Sequence, residues 1–277
     1  MALHHHLFNI VIFVSALITC LLFQLLANFA NDLGDTLHGA DVHRQGPLRL
    51  TQAGLLSITF MQSACRILAT LAALSSLTTI FLAFYGQWLW MAIYSVLAAL
   101  CIWASVRYTY GHRPYGYQGL GDLAVFCFFG GIGILATYAL YKPTLDPLDI
   151  LPAVTSGTLA TAILNLNNIR DLKIDQQANK KTFALILGQQ NACLYQGALI
   201  ITGITTATLY LAENINLNIQ TCVFFAACIG IAANYTALVV RLLKQNLEPK
   251  FLNKQLKLNA LLVLALAIGW SGIVGGI

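Results

Sequence analysis

Long apolar runs alternate with short polar stretches along this chain. The runs fall at roughly 7–29, 64–85, 88–106, 120–141, 148–168, 193–212, 219–240 and 257–277. A helix rising 1.5 Å per residue needs about 20 residues to cross ~30 Å of hydrocarbon, so each run predicts one spanning helix. The ten-residue alternation of a membrane barrel strand is missing, which favours helices over a β-barrel. No basic stretch precedes the first run, and its apolar length exceeds that of a signal peptide. It therefore reads as a span.

Composition strengthens this picture. The 277 residues are 58% hydrophobic and only 9% charged, with a mean hydropathy of +0.73. Soluble domains carry about 25% charge, so this chain lacks the polar surface to cover itself in water. The expected fold class is all-α, a polytopic transmembrane bundle of eight spans forming one domain over 1–277, with the lipid bilayer as its partner and no nucleic acid. Seven cysteines are scattered through apolar runs without Cys-x-x-Cys spacing, and read as small buried hydrophobes. Three histidines at 4–6 carry no further signal.

Charge then sets an orientation. Thirteen of the 15 Lys and Arg lie in odd-numbered loops, and Arg66 opens the second span, leaving only Lys142 on the other side. The positive-inside rule places the odd loops in the cytoplasm and both ends of the chain outside.

Two of those odd loops carry acids. The first reads Asn28-Phe-Ala-Asn31-Asp32-Leu-Gly-Asp35, continuing to His38, Asp41, His43, Arg44 and Arg49. The second runs from Asn165 through Asn167, Arg170, Asp171 and Asp175 to Lys180 and Lys181. Spacings of three and four put Asn28, Asp32 and Asp35 on one helical face, and Asn167, Asp171 and Asp175 on another. Paired carboxylates repel unless a cation lies between them, and Mg2+ prefers such oxygen ligands. Both stretches are expected on one membrane face, converging on one cavity. Carboxylates ringed by Arg44, Arg49, His112, Arg113, Arg170, Lys180 and Lys181 suit a metal-bound polyphosphate with an apolar tail below. The plainer reading is that the acids end spans and neutralise nearby arginines. A cation carrier is a further alternative, but carriers place ionisable groups near the bilayer midplane, whereas these acids sit at span ends.

The two acidic stretches resemble the motifs of the UbiA superfamily of intramembrane aromatic prenyltransferases, Asn-Asp-x-x-Asp and Asp-x-x-x-Asp. The third loop, Pro114-Tyr115-Gly116-Tyr117-Gln-Gly119-Leu-Gly121-Asp122, is similar to that of the 1,4-dihydroxy-2-naphthoate polyprenyltransferases of menaquinone synthesis, and the Gly-Pro-Leu-Arg run at 46–49 fits the same branch. The resemblance covers about 25–190 and implies transfer of a polyprenyl group from its diphosphate to 1,4-dihydroxy-2-naphthoate. Diphosphate and CO2 leave, giving demethylmenaquinol at a bacterial inner membrane, with the site open to the cytoplasm. Other acceptors on the same scaffold are 4-hydroxybenzoate and homogentisate.

Carried onto this sequence, the resemblance implies Mg2+ on Asp32, Asp35, Asp171 and Asp175, with Asn28 and Asn167 completing its shell. Lys180 joins the four aspartates as catalytic, and Arg44, Arg49, Arg170, Lys180 and Lys181 bind the diphosphate. His112, Arg113, Tyr115, Tyr117 and Asp122 face the aromatic substrate, although Asp122 also reads as a helix N-cap. Two departures stand out. The family norm is nine helices, and the first, bearing Arg-Pro-x-x-Leu-Pro, is expected to be absent here, which admits an inactive fragment. Asn179 replaces the glycine before the motif lysine, and asparagine best tolerates the left-handed backbone such a glycine serves. Gly130, Gly131, Gly133 and the Gly272/Gly276 pair read as close helix packing, and the four tryptophans as interfacial anchors.

Overall fold

A computed structural model describes residues 8–39, 50–212, 219–244 and 247–275, with side chains to 270. Its helices are α1 (Ile10–Leu37), α2 (Ile58–Phe84), α3 (Trp88–Arg107), α4 (Gly121–Ala139), α5 (Ile150–Gln177), α6 (Phe183–Leu211), α7 (Ile219–Leu243) and α8 (Pro249–Gly275). Eight helices among the described residues are long and apolar enough to cross a membrane, matching the eight predicted spans. The only extended pairing among the described residues is one isolated parallel bridge, Gln118 to Lys181.

Several helices overrun the apolar runs that forecast them. α1 continues eight residues beyond the expected boundary at 29, α5 continues from 168 to Gln177, and α6 begins at 183 rather than 193. Hydropathy marks where hydrocarbon ends, but the backbone ladder needs no hydrocarbon to continue, so polar turns extend the helices towards the headgroups. Both acidic stretches thereby become helical. Within α6 the chain bends at Gly188, whose φ of 73° is left-handed.

The helices fall into two compact units. One comprises Phe8–Gly121 and Lys173–Thr182, that is, α1 to α3, the third loop, and the last turns of α5 with the segment that follows. In it α1 packs on α2 and α3, and a hydroxyl ladder joins α1 to α2: Ser15 to Thr79 at 2.6 Å and Thr19 to Ser75 at 2.7 Å. Lipid tails give no hydrophobic drive for helix association, so such bonds and close packing hold the pair. Gly34 permits the closest approach. A Cβ there would lie 2.5–2.6 Å from the backbone and hydroxyl of Thr109, whose Oγ1 donates to Ala30 O at 3.1 Å.

The other unit contains Asp122–Leu172 and Phe183–Ile277. Its apolar centre gathers Leu159 and Ala162 of α5, Leu199, Ile200, Ala207 and Leu211 of α6, Phe224 and Ile231 of α7, and Leu266 of α8. Polar links cross it: Asn165 Nδ2 donates to Gln196 Oε1 at 2.8 Å and to Ala192 O at 3.0 Å, and Thr155 meets Thr206 at 2.8 Å. In α4 the ten residues Cys127–Ala136 are π-helical. Gly130 there would place a Cβ 2.5 Å from Ala153 O, and Gly157 one 2.9 Å from Phe126 O, so α4 and α5 touch nearly backbone to backbone. Gly131 has open space and Gly133 meets only its own helix at Phe128 O, so the glycine run packs through one residue rather than three. Gly276 and the side chains from 271 onward lie outside the described residues.

Adding one methyl group at Gly34 tests the tightest contact of the first unit. Gly34→Ala is expected to destabilise the protein by about 1–3 kcal/mol, the usual cost of overpacking, read as a lower unfolding temperature in detergent micelles.

Candidate active site

Asp35 is the most buried acid of the first motif, at 2% exposure, and two distant segments meet on it. Tyr117 donates its hydroxyl to Asp35 Oδ1 at 2.8 Å. Lys180 Nζ lies 3.1 Å from Oδ1 and 3.3 Å from Oδ2, and 5.1 Å from the centre of the Tyr117 ring. The His38 ring stands 5.1 Å from the same tyrosine. A carboxylate taken out of water needs such partners. Removing one partner of a buried pair costs about 3–5 kcal/mol, because the other charge is left uncompensated.

Local chemistry explains how each group arrives. The third loop is fixed to α1 through Thr109, and closes on itself when Gly116 N donates to Tyr108 O at 2.9 Å. Tyr115 anchors it to α3 through a 2.8 Å bond to Ala104 O; burial pushes its phenol up to about 12, so the donor proton is retained at neutral pH. Lys180 is delivered by the end of α5. Asn179, at φ 54°, is the only non-glycine residue in the left-handed region among those described. Its N–H donates to Gln176 O at 3.3 Å and that of Lys180 donates to Asp175 O at 2.8 Å. This pair of bonds is a Schellman closure, which needs a left-handed residue at the position Asn179 holds. The following residue, Lys181, donates its N–H to Tyr117 O at 3.2 Å, tying this turn to the loop.

The rest of the second motif is engaged differently. Arg170, buried on α5, directs its fork into its own unit: Nε to Asp171 Oδ1 at 2.7 Å, Nη2 to Asp171 Oδ2 at 2.5 Å and Asn167 Oδ1 at 2.7 Å, and Nη1 to Asn253 Oδ1 of α8 at 2.9 Å. A bidentate guanidinium neutralises and orients Asp171. The amide oxygen of Asn167 is likewise occupied by this arginine. Asp175, buried at 6% exposure, lies one helical turn beyond Asp171.

Of the remaining sequence candidates, Asp32 is 8% exposed and its buried Oδ1 has no hydrogen-bond partner among the described residues. Asn28, one turn earlier on α1, is exposed. His112, Arg113 and Lys181 are exposed, and the Arg113 carbonyl accepts from Gln118 Nε2 at 3.3 Å. Arg44 and Arg49, with Asp41 and His43, lie outside the described residues. Asp122 opens α4 with a buried side chain. Among the described residues no three His, Cys, Asp or Glu side chains already form a metal cluster. The orphaned Asp32 oxygen and an all-oxygen donor set nonetheless fit a hard cation such as Mg2+, because a buried carboxylate lone pair without a donor is costly unless a cation meets it.

Three participants carry no signal in the sequence. Thr109 lies within the third loop yet carries no charge to draw notice. Asn253 sits among lysines, and Tyr195, whose phenol hydrogen-bonds the Asp122 carboxylate, is one tyrosine within an apolar run.

Comparison with known proteins adds an independent line. The description "UbiA prenyltransferase family" matches residues 1–261. The chain is similar to the 1,4-dihydroxy-2-naphthoate octaprenyltransferase of Escherichia coli K12, 39% identical over 204 residues, covering 73% of this chain and 66% of that protein. The proteins of the same name from Haemophilus influenzae (40% over 194 residues, 70% and 63% covered) and Mycobacterium tuberculosis (37% over 186 residues, 67% and 61%) are also similar. The chain thus spans just under two thirds of the length of these curated relatives. No solved structure matches it significantly. On the match along its length, this chain belongs to the UbiA prenyltransferase family.

Proposed function

We propose that this chain transfers a polyprenyl group from polyprenyl diphosphate to 1,4-dihydroxy-2-naphthoate, releasing diphosphate and CO2 and yielding demethylmenaquinol. The observation that carries the reading is the meeting of Asp35, Tyr117 and Lys180: first motif, third loop and second-motif lysine within hydrogen-bond distance. The names of the similar proteins supply the acceptor. The setting is a bacterial inner membrane, with the site on the cytoplasmic side.

In this mechanism Asp32, Asp35, Asp171 and Asp175 would hold Mg2+, with the amide oxygen of Asn28; that of Asn167 accepts from Arg170 and serves to orient the arginine. Bound there, Mg2+ would supply positive charge against the diphosphate leaving group. Lys180, already within reach of Asp35, exchanges part of that ion pair for the diphosphate oxygens, assisted by Lys181, Arg44 and Arg49. Arg170 acts on the site by aiming Asp171. Tyr117 holds Asp35 in position, and the third loop, with Tyr115, His112 and Arg113, closes over the aromatic acid and excludes the water that would quench the cation. The ring carbon bearing the carboxylate is attacked, and loss of CO2 restores aromaticity.

Membranes containing the chain are expected to make prenylated naphthoquinone from farnesyl diphosphate and 1,4-dihydroxy-2-naphthoate in Mg2+, and none after chelation. Asp171→Ala/Asp175→Ala is expected to lose roughly a thousandfold or more in rate. Product from 4-hydroxybenzoate or homogentisate instead would reassign the acceptor, and silence with all three would remove the enzyme reading. Lys180→Arg should keep most of the activity, while Lys180→Ala raises KM for the prenyl diphosphate with little change in KM for the naphthoate. Arg170→Lys is expected to lower kcat and to weaken the Mg2+ dependence by about tenfold, since a lysine cannot grip Asp171 bidentately.

A further inference from the structure

The last helix reaches the second acidic motif at a position that the sequence resemblance, ending near residue 190, does not cover. Asn253 lies one turn into α8, half-buried, and its Oδ1 accepts from Arg170 Nη1 at 2.9 Å. The other bonds of that guanidinium are local to α5, to Asp171 one residue on and to Asn167 three residues back. Of these partners only Asn253 stands on another helix. A fork gripped along its own helix alone keeps the torsional freedom of a long side chain, and a fixed acceptor at its far end removes it. The helix that carries Asn253 is itself keyed in place. Leu252, 2% exposed, joins the apolar cluster that holds Leu166 and Ile169 of α5 and Leu238 of α7. On the other side of Asn253, Gln255 O accepts from Asn234 Nδ2 of α7 at 3.2 Å. The Arg241 guanidinium at the end of α7 sits 5.1 Å from the centre of the Phe251 ring. The register of α8 is thus set from both sides of Asn253, and that register delivers its amide oxygen to Arg170.

We propose that Asn253 is a positioning residue: it fixes the Arg170 fork, and through it the orientation in which the Asp171 carboxylate meets a divalent cation. The inference rests on the reading of Asp171 as a metal ligand and deepens it. Asn253, Arg170 and Asp171 all belong to the second compact unit. A carboxylate that binds a hard cation needs its lone pairs aimed, and the groups that aim a ligand matter nearly as much as the ligand. Asn253 touches neither the cation nor a substrate. Its loss lets the guanidinium swing, so Asp171 samples directions that do not serve the metal. The working part of the chain then extends beyond the acidic motifs to α8.

The test titrates the full chain in detergent, without substrates, with Mn2+ as the probe, free Mn2+ being read by its electron spin resonance signal. Asn253→Ala is expected to raise the Mn2+ Kd about tenfold, the low end of what losing an outer partner of a ligand costs. Asn253→Leu, which fills the space without an acceptor, should do the same, and Asn253→Asp, which keeps an acceptor oxygen there, should return to within about threefold of wild type. Lys254→Ala, at the exposed neighbouring position, should leave the Kd unchanged. Thermal unfolding without metal is the folding control. In membranes the half-saturating Mg2+ for prenyl transfer should rise with the Kd, while KM for farnesyl diphosphate at saturating Mg2+ moves less than twofold. Wild-type Mn2+ binding by Asn253→Leu, or a loss that Asn253→Asp shares in full, overturns the assignment. If the wild type binds Mn2+ yet prenylates no aromatic acid, the proposed reaction falls and the Mn2+ comparison still decides the role of Asn253. If Asp171→Ala binds Mn2+ as tightly as wild type, or the wild type binds none, the metal role of Asp171 falls and this assignment with it.

Discussion

The Asp35 carboxylate is the constraint on which the first unit depends. At 2% exposure it cannot rely on water, and the groups that meet it come from loops far away in sequence, Tyr117 from 82 residues on and Lys180 from 145. A carboxylate buried alone would sooner take a proton than remain charged. Each partner therefore fixes the others. Tyr117 can donate only if the third loop is closed by Thr109 and Gly116, and Lys180 can reach only if α5 ends at Asn179. Moving any one of the three segments leaves a charge uncompensated, so the geometry of the cluster and the fold of the unit are one problem.

The second acid cluster has a different physical character. Asp171 is held bidentately by Arg170, which also spans to Asn253, so its charge is neutralised and its orientation fixed before any ligand arrives. Asp32 keeps an orphaned oxygen.

Much of this was legible in the chain. Eight apolar runs gave eight helices because hydrocarbon admits little else, and the i, i+4 spacing of Asn167, Asp171 and Asp175 is helical because α5 does continue. The left-handed tolerance of asparagine was readable at Asn179, where φ is 54°. What stayed hidden has a common cause. Arg170 looked like a phosphate ligand because sequence shows a charge and not the direction of its fork; Asn253, the residue that helps set that direction, lies 83 positions away. The ends of α1, α5 and α6 were missed because hydropathy reports the surroundings of a helix and not the persistence of its hydrogen bonds.

Glycines in α4 make the remaining point. Gly130, Gly131 and Gly133 are indistinguishable by type, yet only Gly130 lies against the backbone of α5. The reason is the π-helical register of Cys127–Ala136, which widens each turn and rotates successive side chains by less than an α-helix does. A helical wheel drawn at 100° per residue misplaces them. The same register matters for Asp122, one turn before it begins. A uniform α-helix can slide or rotate by small steps, whereas a π segment keyed to Ala153 and Gly157 by missing side chains has one seating. That seating holds the start of α4, where the Asp122 carboxylate meets the Tyr195 phenol of α6.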